Sequence, residues 1–175
     1  MLKQVMLTTL LMGFSYTAFA NWVGGFSYHH FMEEGDGISL NLGAVSGSLG
    51  YKVPMENNFY MIPEVRVGFG VRDDVISVLG NDIEAGIDGF FVVSLKGQRE
   101  FDNNLYVFIA PSYGNVDVTA SAFVNGQSFS GNEDTWVFGI GSGVGYRFNQ
   151  NMSAELSYET FDGTDVLSAG LKMNF

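Results

Sequence analysis

The only imidazoles in this sequence are the adjacent pair His29-His30, within GGFSYHHF. A serine hydrolase needs a hydroxyl beside an imidazole that an acid orients, and a zinc site needs three or four ligands. Adjacent side chains of an extended chain point to opposite faces. His29 therefore shares its face with Ser27, and His30 shares the other with Phe26 and Tyr28. His29 with Ser27 or a neighbouring Glu is the residual hydrolase candidate. No HxS pattern follows on a later segment, and two histidines without further ligands nearby do not make a metal centre. The chain has no Cys, which removes thiolate sites and disulfides. The expectation is a protein without catalytic residues, cofactor or metal.

The other residues able to do chemistry are charges set inside alternating stretches. Glu64 and Arg66 lie in NFYMIPEVRVGFG, Asp88 and Lys96 in EAGIDGFFVVSLKG, Arg147 in WVFGIGSGVGYRF, Glu155 and Glu159 in NMSAELSYET, and Lys172 in DVLSAGLKMNF. Each shares a face with small or hydroxyl side chains, and the opposite face carries Phe, Val, Leu, Ile or Met. A lone buried charge is costly, so the two signs are expected to pair. Such a set is a structural network filling a polar interior, or, as the sharper alternative, a proton path or narrow pore.

The elements that must position these charges are strands, since the apolar residues recur with a period of two. The alternation predicts eight strands, roughly 22–31, 37–52, 58–71, 83–98, 102–116, 133–148, 151–161 and 165–175. Several match or exceed the 9 to 11 residues, about, that cross a bilayer at a tilt. In the fourth, Phe90 and Val92 are apolar exceptions on the Asp88 face. An eight-stranded barrel is only wide enough to be filled by side chains, so inward glycines such as Gly139, Gly141, Gly143 and Gly145 are expected to make room for long side chains such as Arg66 and Glu155. A soluble two-sheet sandwich is the rival architecture.

The first twenty residues, MLKQVMLTTLLMGFSYTAFA, have Lys3, an apolar run and Ala18-Phe19-Ala20, which fits an export signal over 1–20 that leaves a barrel over 21–175. The run is short for a spanning helix. The whole chain carries 19 acidic against 8 basic residues and a formal charge of -11, and Lys3 leaves with the signal. Nucleic acid is therefore not an expected partner. Short connections, PMENN, QREFD and FNQN, alternate with MEEGDG, VRDDVISVLGND, NVDVTASAFVNGQSFSGNED and DGTD, of which two are long. The second group is expected to form outward-facing loops. It gathers Glu33, Glu34, Asp36, Asp73, Asp74, Asp82, Asp117, Glu133, Asp134, Asp162 and Asp165. Their spacing does not supply a calcium cage of the EF-hand kind. Trp22, Tyr51, Tyr146 and Phe148 are placed as interfacial anchors.

TAFA, the Pro63-containing YMIPEVRVGFG, the glycine-rich GIGSGVGYRFNQNMSAELSYE and the closing GLKMNF together resemble the small outer-membrane β-barrel family of Gram-negative bacteria, which includes OmpA-type transmembrane domains, OmpX-like proteins and opacity-type porin-family proteins. The resemblance covers the mature chain. It implies an all-β, eight-stranded, up-and-down antiparallel transmembrane barrel in the outer membrane, in contact with outer-membrane lipid and lipopolysaccharide. It also implies periplasmic chaperones and the barrel-assembly machinery as partners in biogenesis, with Phe175 as part of the assembly signal. The expected role is non-enzymatic, structural or surface-interacting through acidic outer loops, with a narrow passive channel as the alternative and a lipid-modifying barrel enzyme behind it. With GLKMNF read as the last strand, the resemblance does not extend to a periplasmic wall-binding domain, and wall tethering is not expected.

Overall fold

The computed structural model describes residues 21–35, 38–78, 81–124 and 127–175. The expected signal over 1–20 lies outside them, as do Asp36 and the side chains of Glu34, Asp82 and Glu133. Ten extended segments run in order: β1 (Trp22–Gly35), β2 (Ile38–Tyr51), β3 (Val53–Pro54), β4 (Phe59–Arg72), β5 (Asp74–Val78), β6 (Asn81–Glu100), β7 (Leu105–Val124), β8 (Gln127–Arg147), β9 (Met152–Phe161) and β10 (Thr164–Asn174). β3 prolongs β2 and β5 prolongs β4, so the ten segments make eight staves. Each stave is antiparallel to the next, and β1 pairs with β10 from Val23 opposite Asn174 to Glu33 opposite Thr164, which closes the sheet. Closure matters because an edge in hydrocarbon would leave backbone N–H and C=O groups unpaired. Among the described residues there is no helix.

The turns give the barrel its polarity. At the end that holds both Trp22 and Phe175, the connections are short and built on asparagine. Asn57, Asn58 and Asn104 take positive φ, and the Asn149 side-chain oxygen accepts from the backbone N–H of Asn151 and Met152, both at 2.9 Å. Asparagine tolerates the left-handed region and bonds its own backbone. Short turns of this kind face the periplasm in outer-membrane barrels, which directs the other end outward.

A belt of apolar side chains covers the outside, including Phe26, Val67, Phe69, Ile109, Ile140 and Phe138, the last 76% exposed. A soluble protein rarely leaves so continuous an apolar surface in water, which removes the sandwich alternative. The belt has two aromatic borders. At the periplasmic border Trp22 meets Tyr51 and Tyr146 meets Phe148, with centroids 5.4 and 5.8 Å apart. At the outer border Tyr113 contacts Trp136 at 5.1 Å and Phe138 at 4.7 Å. From Trp136 to Tyr146 the strand runs about 34 Å, or about 25 Å of height at a tilt near 40°, the thickness of an outer-membrane apolar band.

The strands outrun their predicted ends. NVDVTASAFVNGQSFSGNED, expected as a loop, lies mostly within β7 and β8, which pair from Leu105 opposite Tyr146 to Val124 opposite Gln127. VRDDVISVLGND likewise lies mostly in β4, β5 and β6. The reason is legible in the residues: Val116 and Val118 alternate with Asp117 and Thr119, so the period of two continues beyond the membrane with polar residues on what was the lipid face. The result is a sheet of β5 to β8 standing above the bilayer.

Candidate functional site: the barrel lumen

The lumenal charges stack in three tiers. Near mid-height Arg66 donates to both carboxylate oxygens of Glu159, at 2.8 and 3.1 Å. Below it, Lys172 donates to Glu64 at 2.5 Å and to Ser48 at 2.8 Å. In the same tier Lys96 donates to the two Glu155 oxygens at 3.0 and 2.9 Å. Tyr106 joins by donating to Glu155 at 3.0 Å, and the Lys96 ammonium lies 4.2 Å above the Phe108 ring. At the periplasmic mouth Glu100 takes Lys52 and Arg147, the latter at 2.5 Å, and accepts from Gln98 at 2.9 Å. Every tier pairs its charges with hydrogen-bonded geometry, which is the condition for holding ions away from water.

Seven of the eight residues expected inward meet in these tiers: Glu64, Arg66, Lys96, Arg147, Glu155, Glu159 and Lys172. Asp88 does not. The register of β6 against β7 slips between Ile87 and Gly89, making Asp88 the extra residue of a β-bulge. Asp88 is exposed and accepts from the Thr119 hydroxyl on the outer face. The same bulge brings Ile87 and Phe90 to one side, and both are buried in the lumen with Val92. Lys52 and Glu100 were not expected. Glu100 could have been found by carrying the alternation Ser94, Lys96, Gln98 one step further, whereas Lys52 sits in the break between β2 and β3, where no period holds.

The inward glycines of β8 do make room, but for neighbours on the flanking strands. A Cβ on Gly139 would fall 2.4 Å from the Phe161 ring, on Gly141 2.3 Å from Glu159, on Gly143 2.4 Å from Phe108, and on Gly145 2.1 Å from Tyr106. Each large side chain thus lies flat across a glycine of β8. Gly145→Ala is expected to displace the Tyr106 ring from its bonds to Ser153 and Glu155 and to destabilise the barrel by about 1–3 kcal/mol, the usual range for overpacking. The urea midpoint in lipid vesicles measures this, and an unchanged midpoint contradicts it.

The outer half of the lumen is apolar, which corrects the expectation of a polar plug throughout. Leu42, Ala44, Ile87, Phe90 and Val92 form a buried cluster, with Phe31, Leu40 and Val116 against it. All of these but Ala44 line a cavity of about 390 Å³ whose floor is His29, Arg66 and Glu159 and whose lining reaches the exposed Glu33 and Asp162. It therefore opens outward. Below the floor lie spaces of about 30 and 20 Å³.

His29 faces inward with Ser27 and is 1% exposed. Its Nδ1 lies 2.7 Å from Ser168 Oγ and its Nε2 2.7 Å from Ser46 Oγ. Both ring nitrogens thus meet serine hydroxyls, and neither is oriented by a carboxylate. His30 lies opposite. Phe175 closes the seam, its N–H donating to the Trp22 carbonyl at 2.9 Å. Among the described residues no cluster of three metal-ligating side chains occurs.

No protein-family model and no curated protein matches the sequence. Solved structures do. Ail, the attachment invasion locus protein of Yersinia pestis, superposes with a TM-score of 0.59 at 15% identity over 89% of this chain and 97% of that one. Its complex with the heparin analogue sucrose octasulfate superposes at 0.57, with 18% identity over 88% and 96%. Neisserial surface protein A gives 0.53 at 13% identity over 88% and 97%. A de novo designed transmembrane β-barrel gives 0.54 at 13% identity over 89% and 96%. That a designed barrel fits as well as natural ones shows that the likeness is one of architecture. By fold the chain is a closed, eight-stranded antiparallel β-barrel with the architecture that these small transmembrane barrels share.

Proposed function

We propose that the protein stands in the outer membrane of a Gram-negative cell as a non-enzymatic, non-conducting barrel that engages surface partners through the sheet it raises above the bilayer. One observation carries this reading. β8 pairs with β7 down to Gln127, but with β9 only from Gly139 onward. Among the described residues Gln127–Phe138 is thus an open sheet edge that rises from the outer aromatic border. Open edges accept an extended segment of another chain through backbone hydrogen bonds.

The charge of that sheet selects the partner. Asp117 stands opposite Asp134 in register, a like-charge pairing that is unfavourable unless something positive lies across it. Ail was solved with an anionic heparin analogue; the acidic sheet here favours a basic extended segment instead. Catalysis is not supported by an imidazole held between two buried serines without a carboxylate. Phe175, at the closing seam, is read as the assembly signal.

The test removes residues 118–133 and joins Asp117 to Asp134 through Asn-Gly, a two-residue turn suited to directly paired flanks. The shortened barrel is expected to keep its heat-modifiable migration. In lipid nanodiscs its binding of a ten-residue alternating Lys/Thr peptide should fall by about tenfold or more, the loss of a strand-addition site, while the Glu/Thr counterpart binds neither form. Equal binding by the intact and shortened barrels overturns the reading.

A further inference from the structure

The outer cavity is a different surface from the open edge, which contributes only Thr135 and Val137 to its wall. At about 390 Å³ it falls within the roughly 300–1,000 Å³ of small-molecule sites. Apolar walls of this kind exclude water more readily than they hold it.

We propose that this cup binds the hydrocarbon tail of a single-chain cationic amphiphile, tail inward and head at the rim. The floor rejects a charged end. Both Arg66 amino groups bond Glu159, and both His29 nitrogens meet serines. Only Arg66 Nε lacks a partner there, and an anion reaching it would stand against the Glu159 carboxylate. The walls, chiefly Phe31, Leu42, Phe90, Val92 and Val116, offer contact to methylenes.

The rim decides the head group. Glu33 and Asp162 are exposed carboxylates at the mouth. Lys52, Lys96, Arg147 and Lys172 lie below the floor, Arg99 lies at the periplasmic end beside Phe101, and Arg72, opposite Gly43, lies on the outer face. Among the described residues no basic side chain lines the mouth. An ammonium is therefore favoured there and a carboxylate or sulfate is repelled.

The experiment places the full mature barrel in phosphatidylcholine nanodiscs with methyl-labelled Leu and Val, and titrates octyltrimethylammonium, octanoate and octyl sulfate, with empty nanodiscs correcting for partition. Octyltrimethylammonium is expected to shift the Leu42, Val92 and Val116 methyls saturably, and to bind about tenfold tighter than either anion because of the two rim carboxylates. Lengthening its chain should tighten binding by up to about fourfold per methylene, the ~0.8 kcal/mol of a buried CH₂, until the cup is full. Glu33→Gln with Asp162→Asn should bring the three probes together; both positions are exposed, and Asn accepts the positive φ of 39° at 162. Val116→Trp should abolish the methyl shifts at Leu42 and Val92, with Val137→Phe as the second filling variant if the first does not fold. Absence of saturable shifts, survival of binding in the filled cup, or anions binding as tightly as the ammonium to the unaltered barrel each overturns the proposal.

Discussion

Glu155→Leu is expected to destabilise the barrel by about 3–5 kcal/mol, the cost of removing one member of a buried, hydrogen-bonded ion pair. Glu155 receives the Lys96 ammonium through both oxygens and the Tyr106 hydroxyl through one, and Lys172 stands 4.0 Å away. Lys96 is 5% exposed, so water replaces the lost partner poorly, and what is left to it is the Phe108 face and the attraction of Glu64, whose carboxylate is already bonded by Lys172. Lys96→Met should be milder, because Glu155 keeps Tyr106 and Lys172. The double variant should recover much of the loss of Glu155→Leu, since two apolar side chains of similar volume replace a pair whose attraction largely offset its own desolvation. Urea unfolding in lipid vesicles, followed through the fluorescence of the two tryptophans, measures all three. If the double variant falls as far as the sum of the singles, the two residues do not act as a pair.

The barrel was legible in the sequence because its physics is a period of two repeated eight times, and each strand reports it separately. Glu64, Arg66, Glu155, Glu159 and Lys172 could be placed inward for that reason: between each and the nearest turn, the alternation runs without a slip. Asp88 could not. Its bulge depends on how β6 meets β7, a cross-strand event, and EAGIDGFFVV contains two glycines that permit a slip without saying where it falls. Phe90 and Val92 stood out as exceptions to a polar face, and that irregularity was the trace of the bulge and of the apolar cup it helps to line.

Strand ends were misplaced for a different reason. Turn composition distinguishes a short periplasmic connection, where asparagines hold positive φ, from anything longer. It does not distinguish a loop from a two-stranded ribbon that leaves the membrane, because the ribbon keeps the alternation and changes only the chemistry of its outer face. Asp117, Thr119 and Asp134 occupy positions equivalent to those of Tyr113 and Phe138 lower down. The acidic residues of that ribbon were therefore mistaken for the end of the sheet.

The mature protein is expected to show no discrete openings in a planar bilayer, and Arg66→Ala is expected to remain silent. A hydrated ion entering from outside would first cross an apolar cup, which disfavours water and ions alike. It would then meet the bidentate Arg66–Glu159 pair, and beneath that Lys172–Glu64 and Lys96–Glu155, where the free spaces are only about 30 and 20 Å³. On this scale about 10–15 Å³ holds one water, so each space takes one or two waters, fewer than the shell a hydrated ion carries. Arg66→Ala removes the upper tier and leaves the middle tier across the bore. Continuous conduction requires opening all three tiers, including Lys172–Glu64 and the Glu100 cluster at the mouth, so no single substitution among them is expected to leak. Discrete openings in the unaltered protein, or openings produced by Arg66→Ala alone, would convert the lumenal charges from a plug into a gate and return the narrow-channel reading.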